Sequence, residues 1–224
     1  GYYFNHAKIK ELDNTPANGK AQKLKDLTYL EGNGWFELGA DAFYFNFNGH
    51  SGMFFMDKNG QWRVISDENI RVEFDEQTGF KTINDLKRRF SLRYYNVGNN
   101  KRFFDKFTLI TADGTRYEFG GDNATEYSVP YYNQVYGDIV ATCWRLSKIT
   151  TVDRRVVRFL YKADSYMCDI HYAPQAMYYF ENNQGVSMHL DKGRAGYSGF
   201  LTMPARLTEI SADDETVSFS YERD

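Results

Sequence analysis

Four prolines in 224 residues are too few for a Pro-rich linker or stalk. Two cysteines, Cys143 and Cys168, are too few for a disulfide scaffold or a four-ligand zinc site. They read as two free, half-buried thiols, with a single disulfide as the alternative if the protein is exported. No stretch approaches the ~20 apolar residues of a membrane span, so direct membrane insertion is not expected. No secretory leader opens the chain, and Gly1 reads as the residue left when a leading segment is removed. The net charge of −3 argues against general attraction to DNA or acidic membranes, and no nucleic-acid partner is expected.

Aromatic residues are abundant instead. They make up 17% of the chain, almost all Phe and Tyr, spread along its length. Aromatic and β-branched side chains fit pleated surfaces. From Trp35 onward the apolar pattern has a period of two. FYFNF (43–47) alternates, NGHSG (48–52) turns, MFFM (53–56) returns, DKNG (57–60) turns and QWRVI (61–65) returns. IRVEF (70–74), DEQTG (75–79) and FKTI (80–83) repeat the plan, and RRFSLRYYNV (88–97), GNNK (98–101) and RFFDKFTLI (102–110) follow it. Each turn holds Gly with Asn or Asp, which tolerate positive φ and favour tight hairpins. The pattern predicts an all-β protein: an antiparallel meander of hairpins packed as a β-sandwich or curled sheets. The one helical spacing is in KAQKLKDLTYL (20–30), with Leu24, Leu27 and Leu30, hemmed in by Gly19 and Gly32.

The expected organisation is an N-terminal extension (1–34), a first β-meander (35–120) and a second β subdomain (121–224). The polar stretch GGDNATEYSVPYYNQVYGD (120–138) reads as an irregular boundary, or as a long loop inside one sheet system.

One phrase occurs twice. WRLSKITTVDRRVVRFLY (144–161) and ARLTEISADDETVSFSY (205–221) both read R-L-[ST]-x-I-[ST], a polar turn, then V-x-F-x-Y. Aligned on Arg145 and Arg206, they lie 61 residues apart (206 − 145). A fainter copy spans 107–119, with Phe107, Ile110, the turn ADG, Tyr117 and Phe119. V-x-F-x-Y puts three apolar residues on one strand face. Leu146 and Ile149, like Leu207 and Ile210, are three apart and break that parity. A β-bulge between them, or burial on both faces, would accommodate the break. A lone hairpin is barely stable, so such units must stack on neighbours.

L-x-x-I, a polar or D-G turn and x-F-x-Y resemble the unit of YD-repeat, or RHS-like, bacterial surface proteins. The ordered blocks NFNGHSGMFFMDKNG (46–60), FTLITADGTRYEFG (107–120), EYS (126–128) and TCWRLSKI (142–149) resemble the region ahead of the repeats in large secreted proteins of that class. The resemblance implies an all-β fold of curled sheets, with no catalytic residues to carry over. It also implies an extracellular, cell-surface or periplasmic location with the signal peptide removed. The expected partners are other domains of a longer chain or surface proteins. The chain stops at YERD just after a repeat unit, as if more followed.

Other constellations have plainer readings. DKNGQWRVISDE (57–68) offers calcium ligands, but the sharp-turn glycine of a calcium loop is replaced by Trp62, so a hairpin turn at Asn59-Gly60 fits better. Asp169 and His171 share a strand face, with Ser165 nearby, but no nucleophile elbow exists. His6, His50 and His189 have no metal-ligand spacing. The basic stretch 81–106, with Tyr94, Tyr95, Phe103 and Phe104 interleaved, reads as an exposed hairpin whose Lys and Arg stems cover apolar surface. No catalytic residue, metal or cofactor is assigned. Trp35, Trp62, Trp144 and the pairs Tyr131-Tyr132 and Tyr178-Tyr179 are candidate platforms for sugar rings. The expected function is therefore a non-enzymatic structural or presentation module. The alternatives are a carbohydrate-binding module that takes polysaccharide, and a glycosidase with paired carboxylates.

Overall fold

The computed structural model describes residues 11–12, 14–32, 41–75, 77–82, 102–132, 139–173, 177–182, 185–190 and 196–222. Within them the chain is all-β with antiparallel sheets, apart from a helix near its start. That helix, α1 (Ala17–Gly32), begins directly after Pro16, whose fixed φ suits a first turn, and it takes Gly19 into its interior. Gln22 donates to Asp26 one turn on (2.9 Å).

The strands are β1 (Phe43–Phe47), β2 (His50–Met56), β3 (Trp62–Ile65), β4 (Arg71–Glu73), β5 (Phe80–Thr82) and β6 (Arg102–Phe104). They continue with β7 (Lys106–Ile110), β8 (Arg116–Gly120), β9 (Thr125–Tyr132), β10 (Val140–Trp144), β11 (Leu146–Thr150) and β12 (Val156–Ala163). The last six are β13 (Met167–Ala173), β14 (Met177–Asn182), β15 (Gly185–Leu190), β16 (Gly196–Met203), β17 (Ala205–Ala212) and β18 (Glu215–Ser218). They form sheets ordered β1-β2-β3, β10-β9-β16-β13 and β18-β17-β12-β11-β8-β7-β4, with β5-β6 and β14-β15 as separate pairs. The expected strand 88–97 and turn 98–101 lie outside the described residues.

Hairpin chemistry explains the turns. Asn48 (φ 46°) and Gly49 (φ 85°) join β1 to β2 as a two-residue turn. Turns 57–61 and 111–115 share another design. The fourth residue donates its N–H to the first carbonyl (Gly60 to Asp57, Gly114 to Thr111, both 2.9 Å) and is left-handed, at φ 76° and 89°. Such turns carry a one-residue bulge that keeps the strand twist. Turn 151–155 is the same, with Arg154 at φ 67° in the glycine position.

The repeated phrase is a hairpin in all three copies. The copies are β7-β8, β11-β12 and β17-β18, and they lie side by side in the seven-stranded sheet. Tyr161 donates its hydroxyl to the Leu146 carbonyl (2.9 Å), and Tyr221 donates to Leu207 (2.8 Å). The same tyrosine thus closes the same hairpin twice. The parity break also has its explanation: Leu160 faces Glu209 and Tyr161 faces Leu207, which leaves Thr208 as a bulge between Leu207 and Ile210.

The chain divides into two compact units. The first comprises Gly1–Phe74, Thr108–Tyr117 and Thr150–Arg154; the second comprises Asp75–Phe107, Glu118–Ile149 and Arg155–Asp224. Phe54, Leu109, Ile110, Ile70, Phe45 and Tyr117 form the buried apolar set of the first unit. In it Phe43 stacks on Phe54 and Trp62 on Phe74, with Trp62 edge-on to Phe54. Tyr127, Ile139, Val129, Phe104, Phe107 and Phe119 are buried in the second.

The stretch 120–138 departs from the irregular reading, because β9 runs through it. Its composition resembles a loop, yet residues 124–129 are all buried, with Tyr127 and Val129 alternating with Glu126 and Ser128. Tyr127 is fully buried there and donates its hydroxyl to the buried Asp105 carboxylate.

Candidate functional site

A set of polar side chains in the second unit surrounds the points where the chain leaves one sheet for another. Arg145 alone separates β10 from β11, and Pro204 alone separates β16 from β17. Strands that switch sheets this abruptly leave backbone groups outside both ladders, and those groups need partners. The Arg145 N–H donates to the Ala124 carbonyl, and its own carbonyl accepts from Gly120 (both 2.8 Å). Gly121 donates to the Asp105 carbonyl (2.9 Å), as does the Thr125 hydroxyl (2.7 Å). At Gly120 (φ 77°) a Cβ would lie 2.1 Å from the Asp105 oxygen, so only glycine fits.

Glu126 ties the two switch points together. Its Oε1 accepts from Nε (3.0 Å) and Nη2 (2.9 Å) of Arg145 and from the Ala205 N–H (3.1 Å), 79 residues away in sequence. Burial works against the Arg145 charge, but the Glu126 carboxylate outweighs it and holds the guanidinium ionised. Burial pushes the nearby Cys143 thiol up, against the pull of Arg145. Burial likewise raises the Tyr161 phenol. Glu118 is half-buried and lies between Lys106 and Lys148 (2.8 Å each); their bonds outweigh burial and lower its pKa. Glu126 is committed to Arg145 and a backbone N–H at the sheet corner, and Glu118 to two lysines on neighbouring strands.

The candidate platform residues fall in different surroundings. Trp62 is half-buried, with its ring stacked on Phe74 (4.4 Å, 23°) and edge-on to Phe54. Trp144 stacks on Phe104 (4.6 Å, 18°) and donates its indole N–H to the Phe104 carbonyl (3.2 Å). Tyr131 and Tyr132 end β9, in register with Gly199 and Ser198 of β16. Tyr178 and Tyr179 lie in β14, opposite His189 and Met188 of β15. Trp35 lies outside the described residues, as do His6 and most of the basic stretch, 83–101.

Asp169 and His171 do meet on β13, with Nε2 and Oδ2 3.4 Å apart, and both are largely exposed. Nearby, the Ser165 N–H donates to the Asp164 carboxylate (2.8 Å). The Asp57 carboxylate accepts from the N–H groups of Asn59 and Gln61 (2.9 Å each) and from Arg63 (2.8 Å), so it serves its own hairpin turn. His50 pairs with Glu68 (2.8 Å). Cys143 and Cys168 are free thiols, the first half-buried and the second exposed, where the sequence reading had both half-buried. Among the described residues no three His, Cys, Asp or Glu side chains gather to hold a metal ion, and no helix is long and apolar enough to cross a membrane.

Sequence reasoning passed over Tyr44. It is 80% exposed, in one row with Met53 and the 53% exposed Ile65 on the outer face of β1-β2-β3. The alternation of FYFNF is the signal that identifies it: Phe43 and Phe45 face inward, so Tyr44 faces out. No protein-family model, curated protein or solved structure matches the chain.

Proposed function

We propose that the chain is a non-enzymatic structural module that presents or supports neighbouring domains, of the kind that secreted or surface-anchored YD-repeat-like proteins place ahead of their repeats. One observation carries this reading: three copies of one hairpin unit lie side by side in a single sheet. The commitment of Glu126 and Arg145 to the sheet corner, and of Glu118 to lysines on neighbouring strands, supports it, because these charges serve the architecture. Its setting would be extracellular or at the cell surface. The test is turnover of a panel of esters, peptides and glycosides by the purified chain. None is expected. Hydrolysis that disappears in Asp169→Asn or His171→Gln would overturn the reading.

Tyr44 favours a second reading, glycan binding on the outer face of β1-β2-β3. An exposed ring flanked by apolar neighbours offers the flat surface that a sugar face needs. A glycan array separates the two readings. Binding to one polysaccharide class that is lost in Tyr44→Ala supports the glycan reading, and no retention removes it.

A further inference from the structure

The seven-stranded sheet follows a rule. The return strand of each hairpin unit lies beside the outgoing strand of the next: β8 beside β11, and β12 beside β17. β18 is the return strand of the third unit, and it holds the sheet edge. It carries the same V-x-F-x-Y as β12, yet its ladder stops at Ser218 after 4 residues, where β12 runs for 8. In β12 the Val157, Phe159 and Tyr161 side chains are half-buried; Val217, Phe219 and Tyr221 are 56%, 38% and 49% exposed. The difference between the strands is the second neighbour.

Apart from its short ladder and Glu215 beside the turn, the edge carries no guard. Exposed edges are normally blunted by lysine, proline, a bulge or short length. β4 at the opposite edge follows that rule, with 3 residues and exposed Arg71. ETVSFSY (215–221) has no lysine, proline or glycine. The Phe219 N–H donates inward to the Thr208 carbonyl (2.9 Å). Because donors alternate along an antiparallel strand, those of Thr216, Ser218 and Ser220 face outward.

We propose that the free edge of β18 takes up an antiparallel strand of the R-L-[ST]-x-I class from a further hairpin unit. The β12-β17 pairing supplies the register, with Phe159 opposite Ile210 and Tyr161 opposite Leu207. Phe219 then faces the incoming isoleucine, and Tyr221 the leucine. The inference rests on the module reading and names the partner that reading leaves open.

The probe is a fluorescent peptide of residues 204–212, PARLTEISA, titrated into the full chain and followed by anisotropy. Saturable binding is expected. Ser218→Pro removes one outward N–H and none that faces β17, and it should weaken binding roughly tenfold. A peptide with serine in place of its leucine and isoleucine should not bind, which keeps the test open if the proline variant misfolds. In a longer chain, residues 204–222 are repeated after Glu222 through a short glycine-rich turn. Amide exchange at Thr216, Ser218 and Ser220 should slow there. Absence of both peptide binding and slowed exchange overturns the proposal. So does dimerisation of the chain that Ser218→Pro abolishes while the peptide fails to bind, since the edge then prefers its own kind. Turnover in the substrate panel would instead refute the module reading, so the two failures are distinguishable.

Discussion

Replacing Glu126 tests whether the sheet corner is held by one carboxylate. In Glu126→Ala three accepted hydrogen bonds disappear. The Arg145 side chain is 48% exposed, so its freed guanidinium takes up water and escapes the cost of a stranded buried charge. Its two bonds are therefore worth about 1 kcal/mol in all. The Ala205 N–H is part-buried and loses a charged acceptor, which costs about 1–3 kcal/mol. The expected loss is about 2–4 kcal/mol, or roughly 5–15 °C in Tm for a chain of this size. Glu126→Gln keeps an acceptor oxygen but not the charge, and should cost about half as much. Urea unfolding measures both variants, and amide exchange at Ala205 reports the corner directly. If both variants stay within about 0.5 kcal/mol of the parent and the Ala205 amide stays protected, the corner is held by packing and the reasoning fails.

Three further outcomes are expected. The Asp113 carboxyl is held near pKa 2, below its ordinary 3.8, first by the Thr111 hydroxyl and then by the Thr115 N–H and hydroxyl. Its folded value is depressed, so the turn's contribution is complete above pH 3.8 and fades as pH falls through about 2. A carboxyl titration by NMR with its midpoint at 3.8 or above contradicts this. Arg154→Gly should stabilise the chain by about 0.5–1 kcal/mol by relieving a left-handed arginine, whereas Gly114→Ala should cost about 1 kcal/mol; thermal melts showing the same sign for both would refute the shared turn geometry. Phe159→Ala should cost about 3 kcal/mol and Phe219→Ala about 1, since the second ring lies at an open edge; equal losses in denaturant titrations would mean that β18 is already covered.

What was legible in the sequence was local. The glycines at 60 and 114 marked their turns, because positive φ is a property of one or two residues, whereas the turn expected over 48–52 is only Asn48-Gly49, since β2 begins at His50. The L-x-x-I parity break left a bulge or burial on both faces open, and in the second copy Thr208 is a bulge. The sheet switches at Arg145 and Pro204 were not legible, since each is one residue inside an otherwise unbroken extended run. The Glu126 contact with Ala205 spans 79 residues and leaves no local mark. β9 was hidden by its composition. Tyr127 and Val129 do alternate with Glu126 and Ser128, but Pro130 within the strand and the Gly, Asp and Asn residues ahead of it read as loop. The platform residues were chosen by type. Trp62 and Trp144, the rings such a choice prefers, are packed against other aromatics, while Tyr44, not among them, is 80% exposed.

The interleaving of the two units has a consequence for biosynthesis. The chain passes from one unit to the other after Phe74, Phe107, Tyr117, Ile149 and Arg154. The first unit therefore stays incomplete on the ribosome long after β1–β4 have emerged. Leu109 and Ile110, 0% and 4% exposed in the finished protein, arrive late, and 150–154 later still. At 5–20 residues per second, the roughly 80 residues that follow Phe74 take roughly 4–16 s to synthesise. For roughly the first 36 of those residues (110 − 74), about 2–7 s, the aromatic set of Phe43, Phe54 and Trp62 waits without Leu109 and Ile110, within reach of a chaperone or of another nascent chain. A polypeptide ended at Phe74 would remain in that condition permanently.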